Sequence, residues 1–228
     1  MEFDEKIVRS LGSFLEFAKH SVSMLQSCFV KKTKDEDGSF ELNKITKAST
    51  KTAALNFYMD SFGIEKVRVE AALYDTNKPK EERSITAYIE FEELAVLAAD
   101  ATSGRLLKKI SEAGKTGYRL GYKGSTSSKT YGGKPESRYI SFGMNGNSIF
   151  VNLVRCQGVL TSTGGIAPDE NRDKSKDLKI GVPVSIEKFR SMLIYSYDFV
   201  QAYLVGYTNA TYLKVQKQKF DRLEQKKE

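Results

Sequence analysis

Apolar positions change their period several times along this chain, and the period is the first guide to its elements. Ile7, Leu11, Phe14, Leu15 and Ala18 recur at three- and four-residue spacing and predict an amino-terminal amphipathic helix. Residues 31–49 are polar and charged around Asp37 and Gly38, which predicts a loop. Residues 51–60 and 64–74 carry alternating or β-branched side chains and predict a hairpin turning at Ser61, Phe62 and Gly63. Ile85, Ala87, Ile89 and Phe91 then alternate, and from residue 92 to residue 110 the spacing becomes helical. A strand is expected to run straight into a helix.

The second half follows the same plan. Strands are predicted at 117–124, 137–143 and 147–156, the last two joined through Met144, Asn145 and Gly146, where Asn-Gly tolerates positive φ. After a loop at 158–177 rich in glycine and aspartate, Ile180, Val182, Val184 and Ile186 alternate and lead into a helix at 187–206. A shift of 95 residues places Ile85, Ile89, Phe91, Glu92, Leu94 and Leu97 on Ile180, Val184, Ile186, Glu187, Phe189 and Met192. That coincidence of strand, acidic helix start and helical stripe predicts an internal duplication of a sheet-then-helix unit. A short solvated helix at 213–228 is expected to follow. The resulting division is a helix and charged loop at 1–45, a domain at 46–214 built of repeats at about 46–111 and 115–207, and a basic tail at 215–228.

Composition narrows the class. The 228 residues suffice for one large domain, and 40% apolar with 29% charged residues excludes wholesale disorder. No run is apolar enough to cross a membrane as a helix, and Glu2, Asp4 and Glu5 stand where a signal or transit peptide would be basic. The expectation is an intracellular, cytoplasmic protein of a bacterium or a phage-infected cell, with no membrane partner. Cys28 and Cys156 lie far apart and predict core positions; neither a disulfide framework nor a zinc site follows from them.

The net charge of +7 is concentrated: between residues 101 and 157 there are ten basic residues against Glu112 and Glu136 alone. The same stretch holds Tyr118, Tyr122, Tyr131, Tyr139, Phe142 and Phe150. Cations for phosphates and flat faces for unstacked bases are what a single-stranded nucleic acid requires of a protein surface. Candidate contacts are therefore Tyr118, Arg119, Tyr122, Lys123, Lys129, Tyr131, Arg138, Tyr139, Phe142, Phe150 and Arg155. Because side chains alternate along a strand, only half of them can share one face. A solvated basic sheet face is the plain alternative.

The segment at 183–207, PVSIEKFRSMLIYSYDFVQAYLVGY, resembles the last strand and helix of the Whirly family of single-stranded DNA-binding proteins. Phe199, Tyr203, Leu204, Gly206 and Tyr207 match the closing-helix pattern of that family. Its K-G-K-A-A-L signature is echoed by Thr50, Lys51, Thr52, Ala53, Ala54 and Leu55, with threonines at 50 and 52 in place of lysines. The resemblance spans residues 47–214. It implies an α+β fold of two tandem repeats, each a four-stranded antiparallel sheet plus a helix, with the amino-terminal helix as an addition. It also implies a homotetramer with helices inward, Phe199, Tyr203, Leu204 and Tyr207 lying in the oligomer interface. Single-stranded DNA would then be the partner, contacted also by Lys51 and by Phe57 or Tyr58, one of these two facing the core and the other the ligand. The function implied is protection or organisation of single-stranded DNA in replication, recombination or transfer, with little sequence preference. The alternatives are an RNA-binding protein or guide-RNA chaperone on the same fold, and a transcription-regulating or structural oligomer without strand-specific binding.

An enzyme is not expected. Gly114, Lys115 and Thr116 lack the upstream glycine of a phosphate-binding loop, since Lys109 stands there. His20 is the one histidine, so a His-based metal site and a Ser-His-Asp triad both lack parts. No catalytic residue, metal or cofactor is expected.

Overall fold

The computed structural model describes residues 44–122, 130–162 and 164–224; of residues 121, 122 and 219–224 the backbone alone is described. The predicted amino-terminal helix and Cys28 lie outside these residues. The described chain divides into a unit at Lys44–Phe199, which holds every strand, and a second that includes the last helix from Val200 onward.

The fold is mixed α+β with antiparallel sheets. In the first half β1 (Lys44–Ser49), β2 (Ala53–Tyr58), β3 (Lys66–Leu73) and β4 (Ser84–Glu90) form a sheet in chain order. β4 passes directly into α1 (Phe91–Ser103), followed by α2 (Arg105–Glu112). In the second half β5 (Tyr118–Tyr122), β7 (Lys134–Asn145), β8 (Ser148–Leu160) and β10 (Leu178–Ser185) pair in that order. Two short strands lie off this path: β6 (Thr130–Tyr131) pairs with β7, and β9 (Ile166–Pro168) with β8. β10 passes directly into α3 (Ile186–Glu224).

The two strand-to-helix joints are fastened alike. The Phe91 amide donates to the carbonyl of Glu65, in the turn between β2 and β3, at 3.2 Å. The Ile186 amide donates to the carbonyl of Asn147, in the turn between β7 and β8, at 3.4 Å. In each half the turn joining the two central strands thus takes up one of the orphan amides of the helix start.

Alternation decides what is buried. Leu55, Phe57, Val69, Ala71, Ile85 and Ala87 share one face of the first sheet, and Ile149, Val151, Leu153, Ile180, Val182 and Val184 one face of the second; all are buried. β8 and β10 run against strands of the first sheet. Arg138 on β7 reaches across, donating from Nη1 to the Thr86 carbonyl on β4 at 2.9 Å. Leu94, Leu97 and Ala98 of α1, Leu106 and Ile110 of α2 and Phe189, Met192 and Leu193 of α3 add to the core. The Phe142 and Phe189 rings pack at 5.1 Å between β7 and α3.

Several elements differ from their expectation, β6 among them, which lies outside every predicted strand. β1 falls inside the predicted loop; its register slips between Lys44 and Thr46, and this irregularity hides the alternation. The helix predicted at 92–110 is broken at Gly104, which takes φ 78°, a left-handed cap that glycine adopts without steric cost. The break predicted after Gly206 does not occur: α3 runs on to Glu224, and Gly206 is absent from the glycines with positive φ. Within the predicted loop at 158–177 lies β9, packed so closely that a Cβ on Gly158 would stand 2.5 Å from Ile166 Cγ2 and 2.8 Å from the Ala167 carbonyl oxygen. Gly158 is the residue that lets this strand close on β8.

Candidate nucleic-acid interface

The face of the second sheet opposite the core is set by register. Arg119 (β5), Ser141 (β7), Asn152 (β8) and Gly181 (β10) form one row across it. Tyr139, Val154 and Lys179 form the row on one side, and Gly143, Phe150 and Pro183 the row on the other. The middle row is small and polar, and a Cβ on Gly181 would meet Asn152 Oδ1 at 2.7 Å. This row, in which Ser141 and Asn152 are buried, runs between the half-buried ring of Phe150 and exposed Pro183 on one side and exposed Lys179 on the other. At the β5 end the Arg119 guanidinium lies 4.3 Å from the centre of the Tyr139 ring. A planar cation over a ring leaves its other face as a platform for a base and its in-plane N–H groups as donors to a phosphate.

Tyr139 itself is buried, and its hydroxyl pKa is raised by loss of solvent. It packs with Val154 and Cys156, whose thiol burial pushes up to about 11. This corner is covered by the segment after β9. Arg172 is buried there, donating from Nε and Nη2 to Asp177 and from Nη1 to the Asp169 carbonyl at 2.8 Å. The two acids at the start of this segment face cations from the sheet: Asp169 accepts from Lys134 at 2.6 Å and Glu170 from Arg119 at 3.3 Å. The Lys134 ammonium beside it holds the Asp169 carboxyl below its ordinary range.

Several expected contacts lie elsewhere. Phe142 is on the core face, against Phe189 and Tyr118, and is removed from the candidate ligand surface. Arg138 and Arg155 also face inward, converging on buried Glu136; Arg138 Nε donates to it at 2.6 Å, and Arg155 lies over the Tyr131 ring at 5.1 Å. Strand parity turns both arginines away from the outer face, and the desolvated carboxylate between them meets their charge. Tyr131 donates its hydroxyl to the Lys176 carbonyl at 2.6 Å. Tyr118 is half-buried with Lys109 near its ring, so it and Arg119 do point oppositely. Tyr122 is paired through its backbone with Tyr139; Lys123 and Lys129 lie outside the described residues.

On the first sheet Phe57 and Tyr58 divide between the two faces, and both are buried. Phe57 faces the core, whereas Tyr58 faces outward but is covered: the Arg68 guanidinium lies 3.8 Å from its ring centre, and its hydroxyl donates to Glu70 at 2.8 Å. Neighbours on the same face are Lys47 and Tyr74, with the ammonium 5.7 Å from the ring. Lys47 escapes the sequence pattern because its strand, β1, falls inside the predicted loop, whereas Tyr74 ends the strand predicted at 64–74. Lys51 is exposed in the turn between β1 and β2.

In α3, Phe199, Tyr203 and Leu204 are half-buried and Tyr207 is exposed, with the Tyr203 and Tyr207 rings stacked at 6.1 Å. Among the described residues no group of His, Cys, Asp and Glu could hold a metal ion, and no helix is long and apolar enough to cross a membrane.

No family model matches this chain, and no curated protein matches it. Among solved structures it is similar to a plant transcriptional regulator, PBF-2, at 15% identity and a TM-score of 0.40, covering 72% of this chain and 92% of that one.

Proposed function

We propose that this chain binds single-stranded nucleic acid, DNA in the first instance, with little sequence preference, along the outer face of the second sheet. The observation that carries the reading is the outer row of Ser141, Asn152 and Gly181 between Phe150 and Lys179, with Arg119 lying over Tyr139 at one end. Phe150 supplies a ring for stacking; Arg119 and Lys179 supply charge for phosphates. Lys47 and Tyr74 on the first sheet extend the same chemistry.

The Whirly-like reading of two tandem repeats is supported by the two matched strand-to-helix joints, which lie 95 residues apart at Phe91 and Ile186. On that reading the protein protects or organises single strands during replication, recombination or transfer. It acts as a homotetramer through α3, where Val205 and Tyr207 are exposed apolar side chains. No catalytic role is assigned.

The test is a comparison of oligothymidine, the matching RNA and a duplex at fixed salt. Oligothymidine should bind most tightly, with log affinity falling against log salt at a slope of about 0.7 per neutralised phosphate. Equal or tighter binding of duplex overturns the reading, and tighter binding of RNA moves it to that strand.

A further inference from the structure

We infer that Arg119 is a phosphate subsite whose ligand is imitated by the chain's own Glu170. This rests on the reading of the second sheet as a single-strand surface and adds to it a built-in competitor. Two adjacent acids, Asp169 and Glu170, engage two cations from different strands of the sheet, Lys134 on β7 and Arg119 on β5.

The two pairs differ in what can move. Asp169 is fixed: its side chain is 8% exposed, it accepts from the Asn171 amide as well as from Lys134, and its amide donates to the Gln157 carbonyl at 2.9 Å. Buried Arg172 locks the carbonyl of the same residue. Glu170 is 67% exposed, and its pair with Arg119 is long at 3.3 Å, so it can swing into solvent while the segment stays in place. Arg119 would keep its position over Tyr139 throughout, because that contact is made to the ring face and not to the carboxylate. An incoming phosphodiester therefore finds an oriented guanidinium and displaces one exposed carboxylate. An exposed pair of this kind is weak, which makes the competition mild and sensitive to salt.

The experiment compares wild type, Glu170→Gln, Arg119→Ala, the double variant and Glu187→Gln, the last removing an exposed carboxylate from the start of α3. Each is titrated with a 20-residue oligothymidine at several salt concentrations, and with inorganic tripolyphosphate. Glu170→Gln should bind both probes about two- to five-fold more tightly at low salt, with the gain fading as salt rises. The gain should vanish on an Arg119→Ala background and exceed that of Glu187→Gln. Equal gains from Glu170→Gln and Glu187→Gln, or a gain that survives loss of Arg119, overturn the subsite. If tripolyphosphate shows the gain while oligothymidine binds to no variant, the subsite stands and the nucleic-acid reading falls. If oligothymidine binds and Glu170→Gln changes neither probe, the reading stands and the subsite falls.

Discussion

Lys109 places its ammonium 2.6 Å from the Asp100 carboxylate, joining α2 to α1 across the break at Gly104. Arg105 holds the other oxygen at 2.8 Å, and the Asp100 side chain is 5% exposed. The hydrogen bond from Lys109 keeps the Asp100 carboxyl below its ordinary range. A carboxyl lowered on folding stabilises above its unfolded pKa, and that contribution is lost as pH falls through the lower folded value. Asp100→Asn should cost about 1–3 kcal/mol at pH 7. In urea unfolding the gap to wild type should narrow once pH falls below the unfolded carboxyl's ordinary value and close only below the lowered folded one.

Cys156 behaves in the opposite sense. Its thiol is raised to about 11 by burial, so above its ordinary pKa the unfolded chain releases a proton that the folded chain retains. Stability should therefore fall as pH climbs from about 9 toward 11. In a Cys28→Ser background, labelling of Cys156 by an aromatic disulfide at pH 8 should wait on unfolding. Fast stoichiometric labelling of the folded protein would contradict this burial.

Two phenylalanines separate core from surface. Phe142→Ala should cost about 3–5 kcal/mol of stability and leave the affinity of the folded fraction for oligothymidine unchanged. Phe150→Ala should cost less stability and reduce affinity by the loss of one stacked base, about 1–3 kcal/mol. Thermal melting beside titration, at a temperature where both variants are folded, reads both effects.

The arginines divide in the same way. Arg119→Ala should weaken binding and lower the salt slope by about 0.7, the loss of one phosphate contact. Arg138→Ala should leave the slope unchanged and lower the melting temperature, because Arg138 joins Glu136 to the Thr86 carbonyl inside the fold. Equal slopes for both variants would remove Arg119 from the surface.

What was legible in the sequence was the part fixed by period. The alternations ending at Ile89 and Val184 and the helical stripes after them are where the pattern places them, because burial on one face leaves a repeat of two or of 3.6. Which basic residues face outward was not legible. Arg119, Arg138 and Arg155 are alike in sequence; the pairing register sets Arg119 in the row of Ser141 and Arg138 opposite Arg155 on the core face, where Glu136 meets both. Tyr58 shows a second limit. Parity along β2 puts it on the outer face, but the partner that covers it, Arg68, sits on another strand, and no local pattern announces that contact. Gly104 and Gly206 mark a third: both interrupt helical sequence, and the backbone turns left-handed only at the first.

The direct joints of β4 to α1 and β10 to α3 also govern how this chain can change length. With no linker residue to absorb an insertion, one added amino acid at either joint would rotate everything after it by about 100° around the helix axis. Added within the strand, it would turn each following side chain to the opposite face. Phe91 and Ile186 would lose their anchoring carbonyls at the same time. Insertions are instead tolerable where glycine turns the backbone in open space away from these anchors, at Gly164, so a tag or reporter placed there should leave both sheets in register while one at residue 90 or 185 should not.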